Sequence, residues 1–245
     1  MAKALKGVVP KDRVRFFEEI DSTNRLAKEL AVGGAPAQTL VVADHQTKGR
    51  GRLDRTWESP PGANLMFSLV LRPDLEPGKA FSLTMAAGLG LARAVNRWTG
   101  LSPLLKWPND LFLDGKKLAG ILTELKVARG KVEWAVIGVG LNVSAHPPEM
   151  EAVDLAESLG RPVDRAALLR EFMIESVRCS ALPPGELRRE WTELSCTLGR
   201  KVVVRDNGER VSGLAQGIDP EGALLLETET GLRRIVCGDL MVEGG

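Results

Sequence analysis

Apolar positions along this chain recur with two periods, and the changes between them divide it into elements. From Thr23–Val32, the residues Leu26, Ala27, Leu30 and Ala31 share one helical face. Ser22 stands ahead of that run as an N-cap, and Gly33-Gly34 ends it. Residues 39–43 form a short apolar run between polar neighbours, read as a strand. Leu65–Leu71 is a second, stopped by Arg72-Pro73. Residues 80–98 predict a long buried helix with Phe81, Met85, Leu89, Ala92 and Val95 on one face. Gly88 and Gly90 weaken it intrinsically and are expected to let it pack closely on a sheet.

Strand signals then follow at 104–107, 111–113, 118–126 and 132–143. Turn chemistry at Asp114-Gly115 and Arg129-Gly130 makes this part an antiparallel meander. Helical patterns occupy 153–159, Arg165–Ser180 and 186–194. In the second, Asp164 caps and Leu168, Leu169, Phe172 and Val177 make the stripe. From about Cys196 the texture changes to short strand-like runs at 201–205, 211–217, 223–227 and 232–237. Turns at Asn207-Gly208, 219–222 and Thr230-Gly231 separate them. That spacing predicts a small all-β barrel of roughly 45–50 residues. The expected division is a larger α+β unit over 1–194 and a β unit over 195–245.

Composition narrows the functions available. With 33 basic and 32 acidic residues the net charge is +1, so the whole-protein basic footprint of a nucleic-acid binder is missing. No apolar run is long enough to span a bilayer. The first eleven residues are mixed and basic, without the apolar core of a secretory signal, so the cytoplasm is the expected compartment. Cys179, Cys196 and Cys237 are few, odd in number and far apart, and read as free thiols. His45 and His146 are the only histidines, which argues against a histidine-rich metal site and a Ser-His-Asp triad. There is no tyrosine to carry chemistry.

Two segments can carry chemistry. In 48–57, four cationic residues (Lys48, Arg50, Arg52 and Arg55) face Asp54 alone, interleaved with Gly49 and Gly51 and followed by Trp57. Glycines let the backbone approach a ligand, consecutive amides can cup an anion, and arginines add bidentate donors. Trp57 offers a flat face for a base. The same composition also suits a solvated loop or an RNA contact, but its place between two strand signals favours an ordered anion-binding loop. The second segment is Lys106-Trp107-Pro108-Asn109-Asp110, with Lys116-Lys117-Leu118-Ala119-Gly120 after it. Asn109 and Asp110 open a hairpin strand, and Lys117 returns near them. A lysine there can stabilise developing phosphate charge, although by themselves the two lysines read more simply as solubilising turn residues. Gly138-Val139-Gly140 lacks the third glycine of a dinucleotide fingerprint, and no GxxxxGK[ST] motif occurs.

Taken together, these segments resemble one family. In order they are Asp21-Ser22-Thr23-Asn24; Gln46 with Gly49-Arg50-Gly51-Arg52 and Trp57; Gly62-Ala63-Asn64-Leu65; Lys106-Trp107-Pro108-Asn109-Asp110; Lys117-Leu118-Ala119-Gly120-Ile121-Leu122; and Gly138-Val139-Gly140-Leu141-Asn142. The chain resembles the biotin protein ligases from about residue 15 to its C-terminus. The resemblance implies a central mixed, largely antiparallel sheet with helices, related to class II synthetases, and a C-terminal SH3-like barrel. It implies ATP-dependent formation of biotinyl-5′-AMP and transfer to a lysine of the biotin carboxyl carrier protein of acetyl-CoA carboxylase, with magnesium and a possible homodimer.

The resemblance also implies site roles. Biotin would be held by Ser22, Thr23, Asn24, Gln46, Arg50, Gly51, Arg52, Lys117 and Gly120, with Leu118 and Ile121 as apolar walls. The adenylate would meet Arg55, Trp57, Asn109 and Asn142. Arg50, Lys117 and Asp110 would be catalytic, Asp110 receiving the lysine amine, while the magnesium ligands stay unassigned. The family loop usually has glycine where Asp54 stands. The chain begins almost at the catalytic region, leaving no expected room for the N-terminal winged helix of some members. A lipoate ligase, an RNA-binding protein and a biotin sensor without transfer activity are the rival readings. Gln46 and the arginine loop favour biotin, whose ureido group needs both donors and acceptors.

Overall fold

The computed structural model describes residues 3–53, 55–148, 151–206 and 209–242, so Asp54 and the Asn207-Gly208 turn lie outside the described residues. Strand β1 (Val14–Ile20), helix α1 (Thr23–Val32) and strand β2 (Leu40–Gln46) open the fold. β1 and β2 pair in parallel, as a helical crossover between them requires. Strand β3 (Leu65–Leu71) follows, then helix α2 (Phe81–Thr99) and strands β4 (Leu104–Lys106), β5 (Asp110–Leu113), β6 (Lys116–Ala128) and β7 (Lys131–Leu141). Together they form a seven-stranded sheet in the order β1-β2-β3-β7-β6-β5-β4. Apart from the β1–β2 pair its ladders are antiparallel. β3 and β7 are central and buried on both faces, which is why they read as nearly continuous apolar runs.

Helices α3 (Leu155–Leu159), α4 (Arg165–Ser180) and α5 (Pro184–Glu193) come next. α2 lies between the sheet and helices α4 and α5, so it is buried over most of its circumference. Gly88 faces Leu105 and Ile121 of the sheet as expected. Gly90 instead meets the backbone of Ser176, so that glycine serves helix–helix approach. Ser22 Oγ caps α1 by accepting from the Arg25 amide at 3.4 Å. Asp164 Oδ1 caps α4, accepting from Ala166 and Ala167 at 2.8 and 3.2 Å. Val177 does not belong to the α4 stripe: it is exposed, and Met173, Glu175 and Cys179 are buried instead. At about 100° per residue Val177 falls far round the helix from Phe172.

Strands β8 (Lys201–Asp206), β9 (Glu209–Ile218), β10 (Leu224–Thr228), β11 (Gly231–Ile235) and β12 (Asp239–Val242) form a second, antiparallel sheet in the order β11-β10-β9-β8-β12. Trp107 ties it to the first unit. Its amide donates to Thr197 Oγ1 at 3.0 Å and its indole Nε1 to the Gly222 carbonyl at 3.1 Å. At 1% exposure Trp107 is a core residue, so its role in the site is to hold the segment after it. The hydrophobic pattern does not announce β1 and β12. β1 is an edge strand of mixed polarity, and β12 is four residues long. The architecture is the expected α+β one, with a mixed, largely antiparallel sheet and a small C-terminal β unit. Among the described residues, no helix is long and apolar enough to cross a membrane.

Candidate active site

Strand pairing builds the floor of the site. Met66 of β3 faces Gly140 of β7, which faces Gly120 of β6. One pair further along the same face, Ser68 stands opposite Gly138, which stands opposite Leu122. Residues paired across antiparallel strands share a face, so these rows form one surface turned towards α1. The glycines leave it low enough for side chains to lie on it. A Cβ on Gly138 would overlap the Asn24 amide, and a Cβ on Gly140 would overlap the Trp57 indole. The close backbone approach expected of Gly138-Val139-Gly140 is therefore real, and its partners are two side chains of the site.

At one end of this floor the α1 N-terminus meets β2. Gln46 Oε1 accepts from the Thr23 amide at 2.7 Å and from Thr23 Oγ1 at 3.0 Å. Ser68 Oγ lies 2.8 Å from Thr23 Oγ1 and donates to Asn24 Oδ1 at 2.5 Å. Ser22, Thr23 and Asn24 are buried, so these polar groups are linked to one another in place of water. Ser68 belongs to this cluster, although the sequence does not single it out. A lone serine inside an apolar strand carries no signal until its pairing partners are known.

The described residues of the arginine loop are joined by backbone contacts. The Gly51 amide donates to the Arg55 carbonyl at 2.7 Å and the Trp57 amide to the Gly49 carbonyl at 3.1 Å, with a bridge between Arg50 and Thr56. The loop is a small hairpin folded over the floor. Arg52 Nη1 donates to Asn109 Oδ1 at 2.8 Å, and Asn109 Nδ2 donates to the Ile121 carbonyl at 2.7 Å. Arg55 pairs with Asp239 of β12, so the second sheet reaches the loop.

On the floor beside Trp57, Lys117 Nζ stands 2.8 Å from Asp110 Oδ1 and 6.0 Å from the Trp57 ring centre. The carboxylate oxygen lacks the alignment of a hydrogen bond, so the contact is an ion pair only. Asn142 is held through Nδ2, which donates to the Val153 carbonyl at 3.2 Å, while its buried Oδ1 has no partner. The Trp57 Nε1 is likewise buried and unpaired. Orphaned polar atoms of this kind in a cleft fit a site that completes its hydrogen bonds with a ligand.

The polar and glycine residues expected at the site come together around one cavity of about 500 Å³: Ser22 to Asn24, Gln46, Arg50 to Arg52, Arg55, Trp57, Asn109, Asp110, Lys117, Gly120 and Asn142. The structure adds Lys106, Arg205 and Asp239 to its walls. Of the two apolar walls expected, Ile121 is among the lining residues although its side chain packs into the main core against Gly88 of α2, and Leu118 is fully buried in that core away from the cavity. Leu122 lines it instead.

No cysteine is among the described residues lining the cavity. Burial pushes the Cys179 and Cys196 thiols up, away from the thiolate form. His146, Asp154 and Glu157 have ligand atoms within 4.8 Å of one another. Internal bonds account for them: Asp154 Oδ1 caps α3 through the Glu157 amide at 2.8 Å, and the His146 ring meets Glu157 at 3.1 Å.

Residues 16–142 match the biotin/lipoate A/B protein ligase family, and residues 197–240 match the biotin protein ligase C-terminal domain. The chain belongs to the biotin protein ligase family. It is 35% identical to the bifunctional ligase/repressor BirA of Bacillus subtilis, over 96% of this chain and 76% of that protein. It is 34% identical to the biotin–[acetyl-CoA-carboxylase] ligase of Mycobacterium tuberculosis, over 90% of this chain and 85% of that one. Its fold is similar to that of the biotin protein ligase from Aquifex aeolicus solved in complex with biotin and ATP. There the TM-score is 0.78 and the identity 28%, covering 94% of this chain and 98% of the other. In this biotin protein ligase family member, residues of the cavity floor, the arginine hairpin and the Lys117–Asp110 pair line one cavity.

Proposed function

We propose that this protein activates biotin with ATP, forming biotinyl-5′-AMP and pyrophosphate, and transfers the biotinyl group to a lysine of the biotin carboxyl carrier protein of acetyl-CoA carboxylase. The observation that carries this reading is the two-ended cavity. One end is a buried cluster of neutral donors and acceptors at Ser22, Thr23, Asn24 and Gln46. The other is lined by Arg50, Arg52, Arg55 and Lys117. A ureido ring with one carbonyl and two N–H groups suits the first end, and a carboxylate meeting an α-phosphate suits the second.

In the first step a biotin carboxylate oxygen attacks the α-phosphorus and the bond to pyrophosphate breaks. Arg50 and Lys117 offset the negative charge that gathers on the phosphoryl oxygens. Magnesium arrives with ATP as part of the substrate. Among the cavity carboxylates, Asp110 and Asp239 already face cations of the chain. Asn142 Oδ1 and Trp57 Nε1 are the groups left to meet the adenylate, together with Arg55 and Asn109. In the second step the carrier ε-amine attacks the acyl carbon, AMP leaves, and the amine surrenders a proton. Asp110 is placed to take it, with Lys117 keeping its carboxylate in position. Gly51 and Gly120 allow backbone and ring to approach closely.

The catalytic unit spans 1–194 in this reading. The C-terminal unit, 195–245, supports the loop through Asp239. The protein works in the cytoplasm, and its assembly as a homodimer is to be measured by sedimentation with and without biotin and ATP. The deciding experiment is biotin-dependent exchange of labelled pyrophosphate into ATP, with lipoate in parallel. Exchange with biotin alone supports the reading, exchange with lipoate alone reassigns the substrate, and exchange with neither acid overturns the activity.

A further inference from the structure

Glu124 lies on β6 outside the cavity, yet it is bonded to a residue inside it. Its Oε2 accepts from Asn24 Nδ2 at 3.0 Å, and its Oε1 meets Lys28 Nζ of α1 at 2.7 Å. A carboxylate has no proton to give, so it can be met only by the amino end of the Asn24 amide. The Leu122 carbonyl, 3.4 Å from Nδ2, imposes the same choice. The carbonyl end of Asn24 is thereby turned to Gly138 and to Ser68, whose hydroxyl donates to it at 2.5 Å. That one hydrogen bond uses one lone pair of Oδ1 and leaves the second.

The Thr23 amide fixes the orientation of Gln46 separately. Ser68 also lies 2.8 Å from Thr23 Oγ1, which donates to Gln46 Oε1 at 3.0 Å. The Thr23 amide donates to the same oxygen at 2.7 Å. With its oxygen taken twice, Gln46 keeps Nε2 for other partners, and among the described residues its hydrogen-bond partner is the weakly accepting Met66 sulfur at 3.5 Å. One end of the cavity thus carries a spare acceptor on Asn24 and a spare donor on Gln46. These are the two complements of a cyclic urea, which offers N–H and C=O side by side.

We infer that Glu124 is a positioning residue for biotin: it fixes the Asn24 amide so that its carbonyl, and not its amino group, is available to a ureido N–H. This rests on the biotin reading above. Without Glu124 only the longer Leu122 contact, at 3.4 Å, still favours this orientation, and a reversed amide would set N–H against N–H. Glu124 touches no substrate and acts through Asn24. Lys28 in turn holds the carboxylate, and both partners are about a quarter exposed.

The test uses the full chain and pyrophosphate exchange, with KM measured separately for biotin and ATP. Glu124→Ala is expected to raise the biotin KM about 10-fold or more, with the ATP KM unchanged and Tm lowered only slightly. Glu124→Gln retains an acceptor for Asn24 Nδ2 and is expected to stay within about twofold of wild type. Asn24→Ala with Glu124→Ala should be no worse for biotin than Asn24→Ala alone, because the second change acts only through the first. An unchanged biotin KM in Glu124→Ala would overturn the assignment. So would a Glu124→Gln variant as impaired as Glu124→Ala, or losses that add in the double variant. Wild-type protein without biotin-dependent exchange would instead overturn the reading of the site itself, and this inference with it.

Discussion

The Lys117 ammonium and the Asp110 carboxylate stand 2.8 Å apart across the β5–β6 hairpin, at the centre of the cavity wall. A bulge between Leu111 and Phe112 shifts the register so that Lys117 lies opposite Phe112, one place beyond strict alternation. The pair gives each group a partner of opposite charge.

Lys117→Ala is expected to slow adenylation about 10²- to 10³-fold and to leave far-UV circular dichroism unchanged. Pyrophosphate exchange at saturating biotin and ATP measures it. Turnover equal to that of the wild type would remove Lys117 from the catalytic set.

Asp110→Asn should separate the half-reactions. Exchange is expected to persist, while single-turnover transfer from preformed biotinyl-AMP to the carrier slows by about 10²-fold. Transfer at the wild-type rate would show that another group takes the amine proton.

Arg52 reaches from the loop to Asn109 at 2.8 Å, closing one side of the hairpin over the cavity. Arg52→Ala is expected to release biotinyl-AMP about 10-fold faster or more, read by trapping the free adenylate. An unchanged release rate would count against the loop as the barrier that retains it.

Gly140→Ala tests the floor. The added Cβ overlaps the Trp57 ring, so either the indole moves or β7 does. The expected cost is about 1–3 kcal/mol, seen as a lower Tm together with weaker nucleotide binding by calorimetry. Full retention of both would mean that the ring can leave the floor without consequence.

Asp219 carries a pH prediction for the C-terminal unit. Burial pushes its carboxyl up, but the Arg234 hydrogen bond and the Ala223 and Glu221 amides outweigh this and hold it below the ordinary value of 3.8. A carboxyl lowered on folding stabilises at pH above its unfolded value, and that contribution is lost as pH falls through the folded value. Asp219→Ala should therefore lower Tm by roughly 2–6 °C at pH 7, a loss of about 1–2 kcal/mol, and by less at a pH below the ordinary carboxylate value. Equal losses at both pH values would show that the turn geometry, and not the ionised carboxylate, supplies the stability.

Several features are legible in the amino-acid sequence because they are local. Ser22 and Asp164 cap the helices that their positions announce, since a cap needs only its own side chain and the next turn. The hairpin at Asp114-Gly115 forms where its turn chemistry places it, because Asp114 and Gly115 both take positive φ there. β1 and β12 escape such a reading because an edge strand draws its identity from the neighbour it joins. Leu118 reads as a cavity wall and is a core residue, because the bulge in the β5–β6 ladder breaks the alternation that would set it on the face of Gly120 and Leu122.

The sequence by itself determined the local elements and the cationic, glycine-spaced segments that carry the chemistry, because propensity, capping and turn conformation depend on neighbours along the chain. Only the tertiary structure decided how those segments meet. Strand pairing set Gly138 and Gly140 under Asn24 and Trp57, brought Ser68 and Glu124 to opposite ends of one amide, and carried Asp239 of the second sheet to Arg55. Such contacts join residues from tens to nearly two hundred positions apart, and their physical cause is sheet register and side-chain volume, neither of which a single strand contains.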